Sequence, residues 1–192
     1  KLLLTRYKGT IAVAIYSVGF SLETYYQMFS TAISGVFTPR IHLIYNNIEL
    51  ALEDKHRQMS ELFIKVGRIQ FTILALIASG LVFFGKSFIE FWAGEGYEES
   101  YYVALLLIIP ITIPLIQNLG IEIQRAENKH QFRSIGYLIM AVINLVLSIF
   151  LCQKYGAVGS AIGTAISLIV ANGIIMNIYY QNKMGIDIVS FW

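Results

Sequence analysis

Five apolar runs alternate with short polar stretches along the chain, at about 10–37, 69–84, 101–121, 134–151 and 157–180. A helix that crosses a bilayer needs about 20 largely apolar residues. The runs are long and lack period-2 alternation, which predicts helices rather than barrel strands. The run at 69–84 is short, but Lys65, Arg68 and Lys86 flank it and can extend to the headgroups. One connection, 40–61, is long. Within it Ile41, Ile44, Ile48 and Leu52 recur at helical spacing, with Asn46, Asn47, Glu49, Glu53, Asp54, Lys55 and Arg57 on the other faces. This predicts an amphipathic helix at about 41–58, suited to a membrane interface or to the end of the bundle.

Polar residues inside the runs carry the functional signal. In the first run Tyr16, Glu23, Gln27, Ser30 and Ser34 fall at steps of 7, 4, 3 and 4, which places them on one helical face. Glu23 is the single ionisable residue deep within a span. A charge there costs a few kcal/mol, so it should face protein or water rather than lipid. The face reads either as the wall of a substrate or ion pathway or as a buried packing surface. In the third run Pro110 and Pro114 each remove a backbone donor and clash with the preceding turn, which predicts a kink or break near mid-membrane and a gating role. Asn118, Glu122 and Arg125 follow at steps of 4 and 3, on a face that either extends the pathway or carries a surface pair. The last run opens with Gly159 and Gly163 in a GxxxG step, a helix-packing signal. Asn144, Asn172 and Asn177 read as donors of interhelical hydrogen bonds.

Composition agrees with the pattern. Hydrophobic residues make up 56% of the 192 and charged residues 14%, with a mean hydropathy of +0.63. Soluble domains carry about 25% charged residues, so the reading is an all-α integral membrane protein. A net charge of +2 with scattered basic residues gives no nucleic-acid footprint. Enzyme signals are missing. His42, His56 and His130 fall in predicted loops without metal spacing, Cys152 has no partner thiol, and Asp54 and Asp187 are the sole aspartates. Neither a metal nor a cofactor is implied. Because the chain begins at Lys1 and stops on Phe191-Trp192, it reads as an internal piece of a longer protein.

Orientation follows from the basic residues in the loops. Arg40, Lys55, Arg57, Lys65, Arg68, Arg125, Lys129, Arg133 and Lys183 share one predicted side, which should be cytoplasmic. Lys1, Arg6, Lys8, Lys86 and Lys154 share the other. Phe91, Trp92, Tyr97, Tyr101 and Tyr102 crowd that outer side as interface anchors would.

Several stretches together resemble a known family. They are Gly9 to Ser17 followed by Ile33 to Arg40, then Phe88-Ile89-Glu90-Phe91-Trp92-Ala93-Gly94 with Tyr97 after it, Ala126 to His130, and Gly156 to Ala165. In order and spacing they are similar to the polysaccharide-repeat flippases of O-antigen and capsule type, within the multidrug/oligosaccharidyl-lipid/polysaccharide exporter superfamily. The resemblance implies a five-helix fragment of a two-bundle transporter in the bacterial inner membrane. It also implies an undecaprenyl-pyrophosphate-linked oligosaccharide as cargo, alternating access as mechanism, and an N-terminal bundle of the same chain as partner. Family cavities are typically basic, whereas this piece places few cations at membrane depth. A cation-coupled multidrug exporter of the same superfamily, a membrane glycosyl or lipid transferase and a structural membrane subunit are the rival readings.

Overall fold

The computed structural model describes residues 2–192, so Lys1 of the outer basic group lies outside the described residues. Those residues are helical with short turns and no strand: α1 (Leu2–Asn46), α2 (Leu52–Ala93), α3 (Glu99–Ile116), α4 (Asn118–Ala126), α5 (Gln131–Leu168), a π-helical stretch (Ile169–Ile175), α6 (Met176–Lys183) and α7 (Ile188–Phe191). Three helical stretches are long and apolar enough to cross a membrane: Leu52–Ala93, Glu99–Ile116 and Gln131–Lys183. The first run is helical throughout but does not join them on composition, because Ser, Thr, Tyr, Gln and Glu interrupt it.

Two glycines redirect the chain. Gly156 has φ +58°, a conformation open to glycine at little cost. There the 53-residue stretch Gln131–Lys183 folds into two arms, which contain the predicted runs 134–151 and 157–180. The arms pair antiparallel. A Cβ at Gly159 would overlap the Leu151 carbonyl, and one at Gly163 would lie 2.7 Å from Ser148 Oγ. Near the far ends Phe132 stacks on Tyr179, with ring centroids 4.2 Å apart. Gly9, at φ +80°, kinks α1, so that 2–8 precede the kink and 10–46 form the long arm.

The arms pack as alternating passes. One end of the bundle gathers the α1–α2 turn, the α4–α5 turn and α7, and it holds the larger core cluster around Phe63, Ile116, Leu119, Tyr180 and Phe191. The opposite end gathers Gly9, the α2–α3 turn and Gly156 around Leu4, Val103, Leu107 and Cys152. The nine basic residues read as one side belong to the first end. Along their lengths the helices expose a broad apolar surface, including Leu76, Phe83, Ile139, Val142 and Phe150, that suits a lipid surround.

The structure departs from the sequence expectations in five places. The amphipathic helix at 41–58 is not one element: α1 runs to Asn46, α2 starts at Leu52, and Ile48 sits 97% exposed in the turn between them. Its apolar stripe is divided because Ile41 is sealed into the core while the next turn of helix is interrupted. The run 69–84 is the middle of a 42-residue helix, whose polar start at 52–68 keeps helical spacing beyond the apolar stretch. His42 and His56 lie in helices rather than loops. Tyr101 is no surface anchor; it is buried against Gly85 and donates to the Val82 carbonyl. The break in the third run falls at Gln117, three residues past Pro114, with α3 continuous through both prolines.

Candidate functional site

The site is built on α1, whose buried face runs through Ile15, Gly19, Glu23, Tyr26, Ser30, Ser34 and Ile41 at steps of 3, 4 and 7. Gly19 lets α1 lie directly on α3, since a Cβ there would sit 2.7 Å from Val103 Cγ1 and 3.0 Å from the Ala104 backbone nitrogen. That close approach turns the polar face of α1 into the bundle.

Ser30 is the centre of a polar knot joining four helices. Its hydroxyl donates to the Leu115 carbonyl of α3 at 2.8 Å. It also accepts from Asn118 Nδ2 of α4 at 2.9 Å and from Gln70 Nε2 of α2 at 3.1 Å. Gln70 Nε2 also reaches the Ser30 carbonyl at 3.0 Å. The break at Gln117 makes this possible. Gln117 N–H turns back to the Pro114 carbonyl, and Gly120 N–H to the Gln117 carbonyl, in tight i→i+3 bonds. The Leu115 carbonyl, without a regular α-helical partner, takes its bond from Ser30 instead. One turn earlier along α1, Tyr26 donates to the Leu74 carbonyl at 3.2 Å and shares a 2.7 Å bond with Thr112 of α3.

Glu23 is 4% exposed. One carboxylate oxygen accepts from Gln27 Nε2 one turn on, and the other, Oε2, is buried with no hydrogen-bond partner. Tyr16, half-buried on the same face, interacts with Thr164 of the last arm. Ser34 closes onto the Ser30 carbonyl of its own helix. Tyr16, Glu23, Gln27, Ser30 and Ser34 are therefore together, as their spacing predicts, on or beside the buried face. Asn118 joins them through Ser30. Glu122 and Arg125 do not: they form an i,i+3 ion pair of 2.7 Å near the end of the bundle, with Arg125 largely exposed. Pro110 and Pro114 sit in α3, immediately before the break that frees the Leu115 carbonyl. Gly159 and Gly163 lie where the two long arms touch.

The asparagines behave differently from the expectation that all three donate between helices. Asn172 accepts from Tyr137 and Asn177 from Gln117, each across helices, but their own amide groups bond within the helix. Asn144 accepts from Ser148, one turn on in its own helix.

A second polar face escaped the sequence reading. Ser17, Ser21, Thr24, Thr31 and Thr38 recur at steps of 4, 3, 7 and 7 on the outer side of α1. Thr24 and Thr31 are exposed; the other three are partly so. Four of these hydroxyls donate to carbonyls of their own helix, at Ser17, Phe20, Gln27 and Ser34. Such local bonds make Ser and Thr tolerable in a spanning helix and leave their oxygens free to accept. The repeat of small hydroxyl residues at multiples of 3 and 4 was the available signal. Met28 and Gly35 complete the same face, which is exposed at Thr24, Met28, Thr31 and Gly35.

No known protein family, curated protein or solved structure matches the chain.

Proposed function

We propose that this chain is part of a membrane transporter that flips lipid-linked oligosaccharide repeat units across the bacterial inner membrane, for surface polysaccharide synthesis. In this reading two helical bundles rock about a shared cavity by alternating access, and the present helices are the greater part of one bundle. The observation that carries it is the character of α1. It is polar on two faces within its apolar length: one knotted into its own bundle through Ser30, the other, Ser17 to Thr38, on the outer side. Four hydroxyl protons of that outer face are satisfied within the helix, and the oxygens left free to accept suit a wet cavity or a sugar-bearing cargo. The basic end is cytoplasmic by the distribution of Arg and Lys. The apolar outer surfaces of the other helices face lipid, as a multi-pass location requires.

Glu23 favours a second reading within the same architecture, a cation-coupled exporter. Gln27 holds one carboxylate oxygen and leaves Oε2 buried without a partner, where a proton or a cation would complete its bonding. In either reading no bond of the cargo is made or broken, and Glu23 is a coupling group. The test is translocation by the parent protein in proteoliposomes, with undecaprenyl-pyrophosphate-linked oligosaccharide in one arm and a cationic dye in the other. Flippase activity predicts movement of the first and not the second, and dye movement alone selects the exporter. Glu23→Gln keeps the shape and removes the titration. It should abolish gradient-driven transport while the protein still folds; an unchanged rate and pH profile would leave Glu23 as packing.

A further inference from the structure

The basic end of the bundle carries a built cavity separate from the polar knot. Arg40 and Lys65, with Glu61 and Gln58, line a space of about 360 Å³ between the end of α1 and the start of α2, over an apolar floor of Phe37, Ile44 and Leu62. Neighbouring cations are engaged elsewhere: Arg57 pairs with Asp54 at 2.8 Å, and Arg68 donates to the Ser190 carbonyl at 2.7 Å. Arg40 and Lys65 have no ion pair among the described residues, and both side chains are exposed.

We propose that this cavity is a binding site for the headgroup of an anionic phospholipid of the surrounding bilayer. Three features select that occupant. Two unpaired cations face one carboxylate, Glu61, so the cavity has a net positive charge that favours a phosphodiester. The apolar run of α2 begins at Ile69, one turn beyond Lys65, which sets the cations at the level where headgroups lie. The floor of Phe37, Ile44 and Leu62 gives the first carbons of acyl chains an apolar contact, which a free phosphate would not use. The site joins α1, the helix that carries the polar knot, to α2. The inference rests on the membrane reading of these helices and is independent of what the protein transports.

The test is binding of short-chain phosphatidylglycerol and phosphatidylcholine to the purified full-length chain in detergent, by native mass spectrometry. Phosphatidylglycerol should bind more tightly, and each of Arg40→Gln and Lys65→Gln should reduce that preference about fivefold. Lys86→Gln, at the opposite end, should leave it unchanged. Glu61→Gln removes the only carboxylate of the cavity and should raise the preference, which keeps the proposal testable should either cation variant fold poorly. Equal preference in the wild type and the Arg40→Gln/Lys65→Gln double variant overturns the site. Full competition by inorganic phosphate at comparable concentration overturns the lipid as its occupant. Failure of transport with the site intact would instead bear on the flippase reading alone.

Discussion

Ser30→Ala tests the polar knot at its centre. The hydroxyl makes three bonds to three other helices, and its removal leaves two of those partners without a replacement: the Leu115 carbonyl and Asn118 Nδ2. Gln70 Nε2 retains the Ser30 carbonyl at 3.0 Å. Interhelical hydrogen bonds in membrane proteins contribute about 0.6 kcal/mol on average and up to about 1.7. Two lost bonds at a site with no exposed surface give an expected destabilisation of about 1–3 kcal/mol. Reversible unfolding in mixed micelles at increasing dodecyl sulfate fraction measures it. Thr31→Ala, one residue on, is the control, because its exposed hydroxyl bonds only its own helix and its removal should cost less than about 0.5 kcal/mol. A Ser30→Ala variant no less stable than Thr31→Ala would refute the knot as a tertiary clamp.

Two further outcomes follow from the geometry. Gly159→Leu must force apart the two long arms, since even a Cβ overlaps the Leu151 carbonyl. It should destabilise by about 3 kcal/mol or more, well beyond Gly136→Leu, where the space is open; equal melting of the two variants would contradict the arm contact. At the basic end, the Ser190 hydroxyl and backbone N–H hold the Asp187 carboxyl below its ordinary range. A depressed folded-state value means the cap on α7 is present at neutral and mildly acid pH and lost as pH falls through the folded value. The Ser190 amide resonance should therefore titrate below the usual aspartate range in solution NMR; titration at or above that range would remove the cap.

How much of this was legible in the sequence depends on the kind of signal. The spacing of Tyr16, Glu23, Gln27, Ser30 and Ser34 was enough to place them together, because helical periodicity is a local rule. Their partners were not readable, since Gln70 and Asn118 lie 40 and 88 residues away from Ser30 and only the packing of α1 on α3 brings them near. The apolar runs located the helices but not their ends. A hydropathy reading stops where polar residues begin, yet 52–68 continue α2 as a helix with a buried face at Met59, Phe63 and Val66. The prolines marked a weakness in the third run, but the break went to Gln117, where the chain tightens into i→i+3 bonds. The outer hydroxyl face of α1 was missed because Ser and Thr are nearly neutral on a hydropathy scale. It is visible only as a spacing, and as exposure once the fold is known.

The account stands most directly on that outer face lining a wet path. In a Cys152→Ala background, single cysteines at Thr24 and Thr31 of the parent protein can be reacted in membranes with a charged, impermeant thiol reagent. Cysteines at Phe83 and Val142, exposed on apolar surfaces, provide the lipid-facing reference. A cavity wall predicts rapid labelling at Thr24 and Thr31, slowed by bound lipid-linked oligosaccharide, with Phe83 and Val142 inert. Labelling at Thr24 and Thr31 as slow as at Phe83 and Val142 would put that face in lipid and contradict the account.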